Sequence, residues 1–188
     1  MKLQTQTILP LLLSAIAMLG ASSSAQAHVT LEQPEAIAGT PYKAVLRVGH
    51  GCEGSATTRI TVNLPAGLRG AKPMPKAGWT LAVKREKLAK PYESHGRAVT
   101  EDVVELSWTA QNEAAYLQDE WYEEFVLRGS LPDTPGAIWF KVRQSCVKGE
   151  WNWAELPTSG DSTQGLKAPA VRLMLRTPSP AAAAEHKH

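Results

Sequence analysis

Apolar and polar positions alternate through most of the chain, from Tyr42 to Arg176. In YKAVLRV, Ala44, Leu46 and Val48 share one face; in TTRITVNLP, Ile60, Val62 and Leu64 do the same. WTLAVKR sets Trp79, Leu81 and Val83 together, and DVVELSWTA sets Val104, Leu106 and Trp108 together. AIWFKVRQ alternates Ile138, Phe140 and Val142 against Trp139, Lys141 and Arg143, and AVRLMLR alternates Val171, Leu173 and Leu175 against basic neighbours. A period of two buries one face of a strand and wets the other. Roughly eight or nine such segments, broken by LPAGLRG, KPMPKAGW, ESHGR and LPDTPG, predict an all-β, Ig-like antiparallel sandwich. Thirteen prolines and fourteen glycines argue against long helices. Only NEAAYLQDEWYEEF has room for a helical turn, and its second half reads as a strand through Phe125 and Leu127.

The N-terminus breaks this pattern. Lys2 is followed by the apolar run ILPLLLSAIAMLG and then by small residues ending in Ala25, Gln26 and Ala27. A basic residue, a hydrophobic core and an A-x-A site make a secretory signal peptide, and the run is shorter than the ~20 residues of a membrane span. Residues 1–27 are therefore expected to be removed, leaving His28 first, with a single domain over 28–176. The proline- and alanine-rich tail 177–188 lacks a core pattern and is expected to be disordered. His186 and His188 lie on it.

Export changes the reading of charge and cysteine. Of 20 basic and 18 acidic residues only Lys2 lies in the leader, so the mature domain carries a net charge of +1. That excludes the basic footprint of a nucleic-acid binder, and no basic run marks a membrane surface. Cys52 and Cys146 are the only cysteines, and in an oxidising periplasmic or extracellular compartment they are expected to pair.

A histidine in first position has chemistry that an internal one lacks. Its α-amine and ring Nδ1 close a six-membered chelate, and both give up protons to a competing metal near neutral pH. Copper(II), which tops the divalent series and favours tetragonal nitrogen and oxygen donors, is the expected ion. The loop GHGCEGS adds His50 and Glu53 beside Cys52, with glycines that let backbone approach closely. His95, in ESHGR, reads as a solvated residue of a hairpin turn.

The segments AHVTLEQPEAIAGT, RVGHGCEGSATTRITVNLPAG, KPMPKAGWTL, KPYESHG, EFVLRGSLPD and QSCVKGEWNWAELP, in that order, resemble the YcnI-like family of exported copper-binding domains. The resemblance spans His28 to about Leu175. It implies an Ig-like sandwich holding one copper(II) in a brace made by a single histidine, here His28, with a glutamate oxygen and a neighbouring tryptophan. The glutamate is matched by Glu53, with Glu32 as the alternative; the tryptophan is matched by Trp153, with Trp151 as the competitor. The function implied is copper trafficking or homeostasis, with other copper-trafficking proteins as partners and no enzymatic activity. The alternative is a copper-dependent oxidative enzyme of the lytic polysaccharide monooxygenase type, which needs a second histidine, and His50 is the residue available for it.

Overall fold

The computed structural model describes residues 28–178. The expected leader, and all of the expected tail beyond Pro178, lie outside the described residues. Among the described residues, eleven strands follow in chain order. They are β1 (Thr30–Leu31), β2 (Glu35–Ile37), β3 (Pro41–Val48), β4 (Thr57–Asn63), β5 (Arg69–Pro73), β6 (Trp79–Ser94), β7 (Arg97–Ala110), β8 (Glu123–Ser130), β9 (Gly136–Cys146), β10 (Glu150–Trp153) and β11 (Val171–Arg176). One sheet has the order β1-β3-β8-β5; the other runs β2-β11-β9-β4-β7-β6, with β10 also paired to β9. The two sheets form the Ig-like β-sandwich that the alternation predicts. The predicted helical turn is a short 3-10 turn at Glu113–Ala115, capped by Asn112, whose side chain accepts from the Ala114 N–H.

The core lies between the inner faces. Leu46, Phe125 and Leu127 of one sheet meet Ile60, Val62, Leu106, Trp108, Phe140, Val142 and Leu173 of the other, all fully or almost fully buried. Phe125 is at its centre, edge-on to Trp79 at 5.2 Å and to Trp108 at 5.6 Å between ring centroids. The Trp108 indole N–H donates to the Met74 carbonyl at 3.0 Å, so burying this large ring leaves no polar group unsatisfied.

Two expected inward positions are different in the structure. Val103 rather than Val104 is buried alongside Leu106 and Trp108. The register slips between Lys84 and Arg85, where Lys84 faces Glu105 and Arg85 faces Val103. A bulge of this kind places two residues opposite one and flips the alternation beyond it. Val83 is exposed although its cross-strand partner Leu106 is fully buried, because β6 is the edge strand of its sheet and has no neighbour on its outer side. His95 sits in the tight turn of the β6–β7 hairpin, exposed, as expected of a solvated turn residue.

Strand β9 changes neighbours along one edge. Its first half pairs with β11, Phe140 opposite Val171, and its second half with β10, Val142 opposite Trp153. β10 and β11 therefore follow one another along the same edge, and residues 154–170 form an excursion between them. The base of that excursion is closed by the Ala154 N–H to the Ala168 carbonyl at 3.0 Å and the Ala170 N–H to the Glu155 carbonyl at 2.8 Å. Among the described residues no helix is long and apolar enough to cross a membrane.

Phe125→Ala is expected to cost about 3–5 kcal/mol, because two indoles lose their shared edge contact and the cavity cannot collapse between two sheets. Denaturant unfolding of the variant, followed by tryptophan emission, measures this; a loss below about 1 kcal/mol would contradict the placement of Phe125 at the core centre.

Candidate metal centre

Cys52 and Cys146 form a disulfide, as expected, with Cα atoms 6.0 Å apart and a separation of 94 in sequence. Closing a loop of that length is worth about 4 kcal/mol in the chain-entropy picture. Cys146 ends β9, just before the turn to β10, so the bond ties the His50–Ser55 loop to the hairpin that carries both tryptophans of GEWNW. The loop itself is tight. The Cys52 and Ser55 main chains bond to one another in both directions, at 2.9 and 3.0 Å. A Cβ on Gly51 would lie 2.0 Å from the Ser55 carbonyl oxygen, so only glycine fits there. The Gly51 N–H is held at 2.9 Å by the Asp119 carboxylate.

Trp153 is the meeting point. It is buried to 1 % exposure. The His28 imidazole stands edge-on to it at 5.4 Å and the His50 imidazole at 6.4 Å between ring centroids. Trp151 is stacked on it at 5.1 Å and 22°. The structure thus brings His28, His50 and Trp153 together, with Trp151 behind. Both tryptophans point inward because they occupy alternate positions of β10. His28 reaches the group from the residue pair that leads into β1, where buried Val29 anchors the chain.

Gln144 holds the indole in place, and the sequence reading did not single it out. It lies on β9, almost wholly buried. Its side-chain carbonyl accepts from the Trp153 indole N–H at 3.2 Å, and its amide donates to the His50 carbonyl at 2.7 Å and to the Thr57 hydroxyl at 2.8 Å. An indole N–H can only donate, so the amide orientation is fixed by chemistry. A signal was available: Gln144 continues the inward alternation Ile138, Phe140, Val142, where a polar residue needs a buried partner.

Three polar atoms around this group are buried without a hydrogen-bond partner among the described residues: His28 Nε2, His50 Nε2 and Trp151 Nε1. Beside His28 a cavity of about 570 Å³ opens, walled in part by Thr163, Leu166 and Arg172. The excursion between β10 and β11 supplies Thr163 and Leu166.

The carboxylates lie differently. Glu53 is exposed, at φ 51°, and forms with Gly54 at φ 84° the two-residue turn inside the Cys52–Ser55 pair. This is the backbone of a type I′ hairpin turn. Glu53 makes no hydrogen bond or ion pair with another described residue, and the structure does not bring it into contact with His28. Glu32 is committed to a surface ion pair with Arg47 at 2.9 Å. No group of three or more His, Cys, Asp or Glu side chains is arranged to hold a metal among the described residues.

Comparison with known proteins places this chain in a family. Residues 28–175 match the family described as a domain of unknown function, DUF1775. A crystal structure of an uncharacterized protein from Nocardia farcinica, described as having an immunoglobulin-like fold, is 26 % identical with a TM-score of 0.61, over 80 % of this chain and 99 % of that one. A non-cellulosomal cohesin from Archaeoglobus fulgidus has 9 % identity and a TM-score of 0.39, over 86 % of this chain and 98 % of that one. No curated protein matches the chain. The match over residues 28–175, starting on the histidine that stands against Trp153, shows that the chain belongs to the DUF1775 family, to which YcnI-like domains also belong.

Proposed function

We propose that the protein is an exported copper(II) carrier, which holds one ion through the α-amine and ring Nδ1 of His28 after removal of residues 1–27. The observation that carries this reading is the packing of His28. Its imidazole stands edge-on to a buried indole at 5.4 Å between ring centroids. A surface histidine left by chance at a cleavage site has no reason to be fixed in this way. The residues fit the ion. A chelate made by one terminal residue supplies two nitrogens without a cluster of acidic and histidine side chains, and copper(II) favours such nitrogen donors.

Other features agree. The A-Q-A site precedes His28, and the disulfide suits an oxidising compartment. The cavity beside His28 gives an ion and a partner protein a way in. For the oxygen donor, Glu53 is the free carboxylate on the loop that carries His50, whereas recruiting Glu32 means breaking its pair with Arg47. The tryptophan beside the ion is Trp153, with Trp151 stacked outside it.

A second reading has one observation in its favour: a second imidazole, His50, faces the same indole. Two histidines and copper are what an oxidative enzyme of the polysaccharide monooxygenase type needs. The carrier reading is preferred because the bulky indole of buried Trp153 stands against both imidazoles and takes up room that such an enzyme needs for its substrate.

Protein beginning at His28 is expected to bind one copper(II) at least tenfold more tightly, ~1.4 kcal/mol, than protein with one extra Gly before it. Isothermal titration of the two forms decides this, and equal affinities would remove the brace. Glu53→Gln is expected to change the copper(II) paramagnetic resonance parameters and Glu32→Gln to leave them unchanged; the reverse result would move the oxygen donor to Glu32. Copper-loaded protein incubated with cellulose or chitin, ascorbate and peroxide is expected to release no oxidised oligosaccharide detectable by mass spectrometry. Products that vanish in His28→Ala would favour the enzyme.

A further inference from the structure

We infer that His50 supplies a second imidazole to the copper ion, through Nε2, so that the site is built by two histidines rather than one. The inference rests on the copper reading above and deepens it.

The tautomer of His50 carries the argument. Its Nδ1 lies within hydrogen-bond distance of the Gly51 carbonyl oxygen. A carbonyl can only accept, so Nδ1 bears the proton. In the neutral ring Nε2 then keeps its lone pair, and that atom is buried with no hydrogen-bond partner among the described residues. One ring nitrogen donating to a main-chain carbonyl while the other presents a bare lone pair is the arrangement in which proteins hold metal-binding histidines.

The surroundings keep the residue where it is. Its own carbonyl accepts from the buried Gln144 amide at 2.7 Å, and the next residue's N–H is held by Asp119 at 2.9 Å. The disulfide closes the same loop one residue further on. Main chain and ring proton are therefore both fixed before any ion arrives, which is what a preorganised donor requires. His50 also faces the Trp153 indole, as His28 does. The amine and Nδ1 of His28 together with Nε2 of His50 give three nitrogens, and one carboxylate or water completes a tetragonal plane suited to copper(II).

Two measurements on protein beginning at His28 test the inference. In the metal-free protein, nitrogen-15 chemical shifts should show His50 protonated on Nδ1, the less common tautomer; a proton on Nε2 would overturn the proposal. After addition of one equivalent of copper(II), pulsed paramagnetic resonance of the unmutated protein should show combination lines from two coordinated imidazoles. His50→Ala should lose those lines and weaken copper(II) binding tenfold or more, while keeping a cooperative unfolding transition. A spectrum with a single imidazole in the unmutated protein overturns the role of His50 and leaves the His28 brace standing. Failure of the unmutated protein to bind copper(II) at all overturns both. The spectrum of the unmutated protein decides the matter even if His50→Ala does not fold.

Discussion

A side-chain amide inside a sandwich brings two N–H groups and a carbonyl out of water, and each one left unpaired costs about 1–3 kcal/mol. Gln144 places all three: on the His50 carbonyl, the Thr57 hydroxyl and the Trp153 indole N–H. Those partners come from the loop after β3, the start of β4 and the end of β10. Apolar packing brings the sheets together but is indifferent to how an indole is turned about its own axis. The hydrogen bond to Gln144 is directional, and it sets the face and edge that Trp153 shows to the two imidazoles. Remove the amide and the histidines lose a common reference.

The covalent bond supports the same arrangement from another side. Cys52–Cys146 joins the loop to β9 at the point where β9 turns toward β10. Gly51 allows the loop to close on the Ser55 carbonyl, and Asp119 reaches in from the segment after the 3-10 turn to fix its backbone. Two separate stretches of chain, the end of β9 and the segment carrying Asp119, thus converge on a loop of six residues, His50–Ser55. A loop held this way has few alternative conformations to lose on binding an ion, which lowers the entropic cost of ligation.

Much of this was legible in the sequence, for identifiable reasons. Ala44, Leu46, Val48, Ile60 and Val62 are buried where period two puts them, because those strands are covered along their whole length. The alternation misled at Val104 and Val83 because a bulge and an edge position are features of pairing, not of the strand's own composition. The cysteine pair followed from count and compartment, and His28 stood out by its position after the A-Q-A site. Gln144 did not, since its place in the inward alternation of β9 signals burial but nothing in the residue type names its three partners. The loop GHGCEGS marked the right region. Which of its side chains turns toward Trp153, His50 or Glu53, depends on the two positive φ angles at Glu53 and Gly54, and no residue pattern displays those.

The 94-residue span between the two cysteines also has a meaning in time. In the export proposed above, a chain threading through a membrane N-terminus first delivers His28, His50 and Cys52 long before any part of β9 or β10. Through that interval Cys52 is a solitary thiol, and the loop around it has neither Gln144 nor Trp153 to lean on. The missing pieces then arrive almost together, Gln144, Cys146 and Trp153 within ten consecutive residues. Long-range pairings of this kind form late and slowly. Both histidines thus precede the scaffold that arranges them, and a chain that stalls before β9 presents the two rings with nothing to hold them in register.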